Sequence, residues 1–263
     1  MAELPEAPSD PWHFLKKATP ARIALGRTGE GLPTRRVLEF ALAHAQARDA
    51  VHRPLDVAAL ATELADLSPI LVESQATDRM NYLQRPDLGR KLSATSRTRL
   101  RPEPFDAVIV LADGLSATAV QTQGAELTRR IRDRLAWRFA PPVIATEARV
   151  ALGDEIAEAL GARLAIVLIG ERPGLSAADS LGAYITFAPR PGAMRDSDRN
   201  CISNIRPAGL PIDEAARRIS AVAWLAQKLG RSGTEIKEDR ALELAQLPEN
   251  LPQRSPFPVI KSD

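Results

Sequence analysis

The sequence predicts an α/β fold, a Rossmann-like open sheet with helices on both faces, preceded by a mostly helical N-terminal segment. Two continuous apolar runs, AVIVLAD at 107–113 and LAIVLIG at 164–170, have the length and uniform hydrophobicity of strands buried on both faces. Amphipathic helical patterns separate and follow these runs, the alternation expected of parallel strands joined by crossover helices. Before residue 100 the spacing is helical and strand signal is weak.

Residues 1–20 are Pro-rich and polar and predict an extended arm. From Thr34, RRVLEFALAHAQARDAVH places Val37, Leu38, Ala41, Leu42 and Ala45 on one stripe at helical spacing. A second helix fits 57–67. A third starts at Ser68 or Pro69, runs through ILVESQATDRMNYL and ends before Pro86, and DLGRKL makes a short turn after it. RLRPEPFD, with Pro102 and Pro104 two residues apart, reads as a linker, so the expected organisation is arm 1–20, helical segment 21–104 and α/β domain 105–263.

Asp113-Gly114 ends the first strand, and Ser116 is placed to cap a helix from Ala117 to about Phe139. PPVIA is a short strand, ARVALGDEIAEALGA a helix, LAIVLIG the second buried strand and AYITFAP a peripheral one. DEAARRISAVAWLAQKLG closes the structured part, with Ala216, Ile219, Ala223 and Ala226 on one stripe. The tail after Glu249 holds three prolines and is expected to be irregular.

The totals exclude several function classes. With 35 basic and 33 acidic residues the net charge is +2, which gives no electrostatic footprint for nucleic acid or an anionic membrane. The densest basic stretch, Arg129, Arg130, Arg132 and Arg134, is broken by Asp133 and reads as a solvated helix face. A single cysteine rules out an intramolecular disulfide framework. His13, His44 and His52, the only histidines, come without HExxH or CxxC, so no metal site is expected. The N-terminus lacks the apolar core of a secretory signal, and no apolar run approaches the ~20 residues that span a bilayer. A soluble intracellular protein is expected.

Chemistry is best sought in 169–210, where four prolines and five glycines specify turns between short apolar runs. Glu171, directly after a strand, is either a carboxylate at the binding edge of the sheet or a solvated turn charge; the residues leave this open. Asp113 is equally open, a ligand contact at a strand's carboxyl end or a strand terminator. Ser176 and Asp179 fit a capping box better than a nucleophile, since no GxSxG and no later histidine accompany them. GRTGEGLPT at 26–34 matches no phosphate-loop fingerprint and reads as the lead-in to the next helix. Cys201 in RNCISNI is by itself a structural cysteine. The residues therefore reach an α/β ligand-binding module with no self-contained catalytic set.

The stretches YLQRPDLGRKL, DGLSATAV, RVALGDEIAEALGA, GERPGLSAADSLGAY and RNCISNIRP, in this order, resemble the small (light) subunit of ethanolamine ammonia-lyase over about 20–240. The resemblance implies a subunit of an adenosylcobalamin-dependent enzyme, active only in a hetero-oligomer with a large TIM-barrel subunit. That complex converts ethanolamine to acetaldehyde and ammonia by radical deamination, with the corrinoid between the subunits. It implies a cytoplasmic location, open to a bacterial microcompartment. Carried over residue by residue, the family's cobalamin contacts fall on Val150, Glu171 and Cys201, which turns Cys201 from a structural residue into a cofactor contact. No catalytic residue is implied on this chain. With no histidine after His52, the domain has no DxHxxG ligand for cobalt, so the cofactor is expected to keep its own benzimidazole. The alternative is a non-catalytic corrinoid-binding or assembly module; a Rossmann-like enzyme acting alone lacks both nucleotide fingerprint and acid–base histidines.

Overall fold

The structure, a computed structural model, describes residues 10–19 and 21–245. Its centre is a six-stranded mixed sheet in the order β1-β3-β2-β4-β5-β6. The strands are β1 (Ile70–Glu73), β2 (Ala107–Ala112), β3 (Val143–Thr146), β4 (Leu164–Gly170), β5 (Leu181–Phe187) and β6 (Asn200–Ile205). β1, β3, β2 and β4 are mutually parallel; β5 runs antiparallel to both β4 and β6.

The two apolar runs are strands for the reason their composition gives. Every residue of β2 and β4 is buried, and alternate side chains feed two cores. Ile109, Leu111, Ile166 and Leu168 point to one face, covered by α5 (Ala117–Arg134) and α7 (Ile212–Leu229). Val108, Val110, Ala165 and Val167 point to the other, covered by α6 (Leu152–Leu160). Each fully buried Val, Leu or Ile contributes about 1.5–3 kcal/mol against the cost of ordering the chain. The stripe Ala216, Ile219, Ala223 and Ala226 of α7 is wholly buried, as its spacing requires.

Several expectations are corrected. The helix expected from Ser68 to Leu83 is instead the edge strand β1 followed by the short helix α3 (Arg79–Gln84). ILVE is too short a run to show its period, and Asp78, which accepts a hydrogen bond from Asn81 N at 2.9 Å, starts the helix ten residues late. β1 pairs with β3 through Ile70–Val143 to Glu73–Thr146, so the sheet draws on both sides of the Pro102–Pro104 stretch. AYITFAP is not peripheral: β5 is paired on both sides. The edge on that side is β6, which the polar pattern NCISNI conceals because only Ile202 and Ile205 are buried.

α1 (Thr34–His52) forms where expected, but its stripe does not face the core. Val37, Leu38 and Leu42 are exposed, and its buried residues are Ala43 and Ala50. The helix from Ala117 stops at Arg134 rather than Phe139. After α7 a further helix, α8 (Glu238–Ala245), follows. Within the expected arm, His13–Lys17 is one 3-10 turn; 1–9 and the tail after Glu249 lie outside the described residues. Arg129 and Arg130 are ion-paired with Asp66 and with Glu126 and Asp213, as befits a solvated helix face. Among the described residues no helix is long and apolar enough to cross a membrane.

The tightest point of the fold is at the carboxyl ends of β2 and β4. Leu115 N donates to Gly170 O at 2.9 Å, and a Cβ on Gly170 would lie 2.0 Å from Ser116 O and 2.6 Å from Asp113 O. Gly170→Ala therefore lowers the unfolding free energy by about 3 kcal/mol, measured by urea unfolding. Gly174→Ala, whose Cβ would meet only Ala177 O at 3.9 Å, stays within about 0.5 kcal/mol of the parent. Equal losses in the two variants would contradict the close approach as a constraint.

Candidate functional site

The strand order reverses around β2: the chain passes from β2 to β3 on one side, then to β4 on the other. Open α/β sheets form a ligand crevice at such a point, outside the strands' carboxyl ends. Here a cleft of about 610 Å³ opens there, lined by Gly114 and Leu115 after β2, Arg149 and Val150 after β3, and Gly170 and Glu171 after β4. Tyr184 of β5 lines it too, as do Tyr82 and Arg90 from the N-terminal half.

The rim is built by backbone capture. Asp113 is buried; its Oδ1 accepts from Gly114 N and Ala148 N, both at 2.9 Å, and its Oδ2 from Glu147 N at 2.8 Å. This carboxylate ties the β2 loop to the β3 loop and does not line the cleft. Burial pushes its carboxyl up to about 6, against the pull of those N–H groups and of Arg79. Beneath it Tyr82 lies between two guanidinium groups, Arg79 at 4.7 Å and Arg149 at 4.5 Å, and its hydroxyl donates to Ala148 O at 3.2 Å. Burial also raises the Tyr82 phenol.

Glu171 is held at the opposite wall. Its Oε2 accepts from Ser180 Oγ at 2.5 Å and from Asn204 N at 3.3 Å, and its backbone N–H donates to Ser180 O. Among the described residues its Oε1 accepts no hydrogen bond. Cys201 is exposed and does not line the cleft. It is the register partner of Tyr184 across β5 and β6, which sets the two side chains side by side. Partial burial raises the thiol, against the pull of the adjacent Tyr184 side chain and with a further push from the Glu171 charge. Burial and the neighbouring Cys201 raise the Tyr184 phenol in turn.

Val150 and Glu171 thus both line one cleft, with Cys201 beside Tyr184 on the neighbouring strand. Ser116 sits at the start of α5, yet its hydroxyl donates to Ala178 O at 2.6 Å instead of capping the helix. Ser176 and Asp179 precede no helix; Gly174 and Ala177 close a turn there by reciprocal backbone hydrogen bonds at 3.0 and 3.2 Å. GRTGEGLPT is a turn closed between Thr28 and Gly31, away from the cleft, with Pro33 leading into α1. Sequence reasoning missed Tyr82, Arg149 and Tyr184. Arg149 had a signal in the sequence, since it follows a parallel strand as Asp113 and Glu171 do.

A family model described as the ethanolamine ammonia-lyase light chain matches residues 9–237. The chain belongs to that family. It is 46% identical over 268 residues to a protein of Pseudomonas fluorescens named ethanolamine ammonia-lyase small subunit, covering 98% of this chain and 97% of that one. Proteins of the same name from Rhodococcus erythropolis and Azotobacter vinelandii are 50% and 49% identical, covering 87% and 91% of this chain and 90% and 92% of their own lengths.

Asp113 sets a pH dependence. Its folded carboxyl, at about 6, is raised above the ordinary aspartate value of 3.8. Its contribution to stability is therefore complete below about pH 4 and lost as the pH rises through 6, a swing of roughly 3 kcal/mol. Asp113→Asn removes that swing, so the difference between parent and variant unfolding free energies changes between pH 4 and 7. A constant difference across this range would contradict a raised carboxyl.

Proposed function

We propose that this chain is the small subunit of an adenosylcobalamin-dependent ethanolamine ammonia-lyase. In this reading it works in a hetero-oligomer with a large subunit, and its β2/β4 crevice forms one wall of the corrinoid site. The observation that carries the reading is that the family match spans nearly the whole chain, while Val150 and Glu171 converge on the crevice where this sheet topology binds ligands.

The residues present fit such a cofactor. A corrin is an apolar ring rimmed with primary amides, which need acceptors, donors and an apolar edge together. Glu171 offers Oε1 as an acceptor to the amide rim and Val150 supplies the apolar edge, while Arg149, whose buried Nε has no partner among the described residues, offers a donor to the rest of the cofactor. When bound, adenosylcobalamin supplies radical chemistry through homolysis of its cobalt–carbon bond. The work of this chain is to hold and orient. Ser180 and Asn204 fix the Glu171 carboxylate, Tyr184 lines the cleft, and Cys201 stands beside Tyr184 across β5 and β6. No histidine follows His52, so the α/β part of this chain would offer no histidine ligand to the cobalt.

The test is ethanolamine-dependent acetaldehyde formation with adenosylcobalamin, for this chain alone and with its large subunit. Activity is expected only in the mixture. Corrinoid binding without activity, with a competent large subunit, would instead make the chain a corrinoid-binding or assembly module. Glu171→Gln lowers the affinity of the assembled complex for the cofactor by about tenfold, the loss of one charge-assisted hydrogen bond, while subunit association stays intact. Unchanged cofactor affinity would reduce Glu171 to a turn residue.

A further inference from the structure

The cleft's carboxylates, Glu171 and Asp196, act on Tyr184 and share that end of the cleft with Arg172, Arg195 and Arg199, the last paired with Asp154. At the other end stand Arg149 and Arg90, neither of which makes an ion pair among the described residues. Arg149 is held as a fixed donor. Its backbone N–H donates to Gly89 O at 2.8 Å, which sets it beside Arg90; its guanidinium lies 4.5 Å from the Tyr82 ring centre, and its Nη2 donates to Tyr82 O at 3.1 Å. Its Nε is buried without a partner among the described residues, a donor desolvated and unused. The amino end of α6 opens onto the same spot. Val150 and Ala151, the two residues ahead of this nine-residue helix, line the cleft, and their N–H groups reach no acceptor among the described residues.

A planar guanidinium fixed on an aromatic ring, a second arginine and a helix amino terminus are complementary to a compact multivalent anion, above all a phosphate group. We propose that the Arg149–Arg90 end of the cleft is a phosphate subsite. Under the corrinoid reading, on which this assignment of the ligand rests, it takes the phosphodiester of the cofactor's nucleotide loop. Glu171 and Val150 then serve the corrin edge.

The experiment compares two ligands of the two-subunit complex, adenosylcobalamin and adenosylcobinamide, which share the corrin and adenosyl group but differ in the phosphodiester-linked nucleotide. Arg149→Met is expected to weaken adenosylcobalamin about tenfold or more and adenosylcobinamide less than about twofold. Arg90→Gln, an exposed substitution that leaves the Tyr82 stack alone, shifts the two ligands in the same selective way by a smaller factor. Equal weakening of both ligands, or of neither, would overturn the subsite. Should the parent complex bind no corrinoid, the corrinoid reading itself fails, and inorganic phosphate becomes the probe. A phosphate-dependent rise in the thermal midpoint of the parent that is lost in Arg149→Met would then assign the subsite to free phosphate, and no such rise would refute it.

Discussion

The cleft exists because two backbone segments touch where side chains would keep them apart. Gly114, at φ +58°, turns the chain out of β2, and a Cβ on it would lie 2.2 Å from Gly170 O. Gly170 ends β4 against the same turn. With no side chain between them, the loops after β2 and β4 lie flush and form the floor on which Leu115 and Glu171 stand. Any larger residue at either position would fill the switch point or force the two strands apart.

Polar groups lock the walls around that floor. Asp113 braces the loop after β3 through two successive N–H groups, and the strained Glu147, at φ +49°, is held there with its carboxylate on Arg79 at 3.2 Å. On the far wall Arg199 and Asp154 form a buried bidentate pair, at 2.6 and 2.7 Å, with Thr186 on the same guanidinium at 2.8 Å. Such a pair adds little net stability, since desolvation offsets its attraction, but losing one partner would strand a buried charge. Its consequence is positional: it joins the lead-in to β6, the far end of β5 and the first turn of α6, elements that carry Cys201 and Tyr184 or directly follow Val150.

What the sequence disclosed follows how fully each element is buried. β2 and β4 were legible because both faces are covered and composition alone marks them. β1 and β6 were not, because an edge strand solvated on one side carries half the signal in a short run. The α1 stripe has genuine helical spacing, but periodicity shows that a face is apolar and not that this chain covers it. At the site, residue type left Glu171 and Asp113 equally open, and the structure separates them: both oxygens of Asp113 are used by its own loops, while Glu171 lines the cleft with one oxygen that accepts no hydrogen bond among the described residues. Cys201 gained a functional reading only by resemblance, and its place beside Tyr184 comes from strand register, which no local pattern encodes.

The central claim is that ligand and sheet meet at the β2/β4 switch point. Amide hydrogen exchange on the two-subunit complex, with and without adenosylcobalamin, tests it most directly. The account predicts new protection concentrated at 114–115, 149–151 and 170–172, three segments far apart in sequence that share one cleft. Bound cofactor with protection confined to other segments of this chain, or with none in it, would contradict the claim.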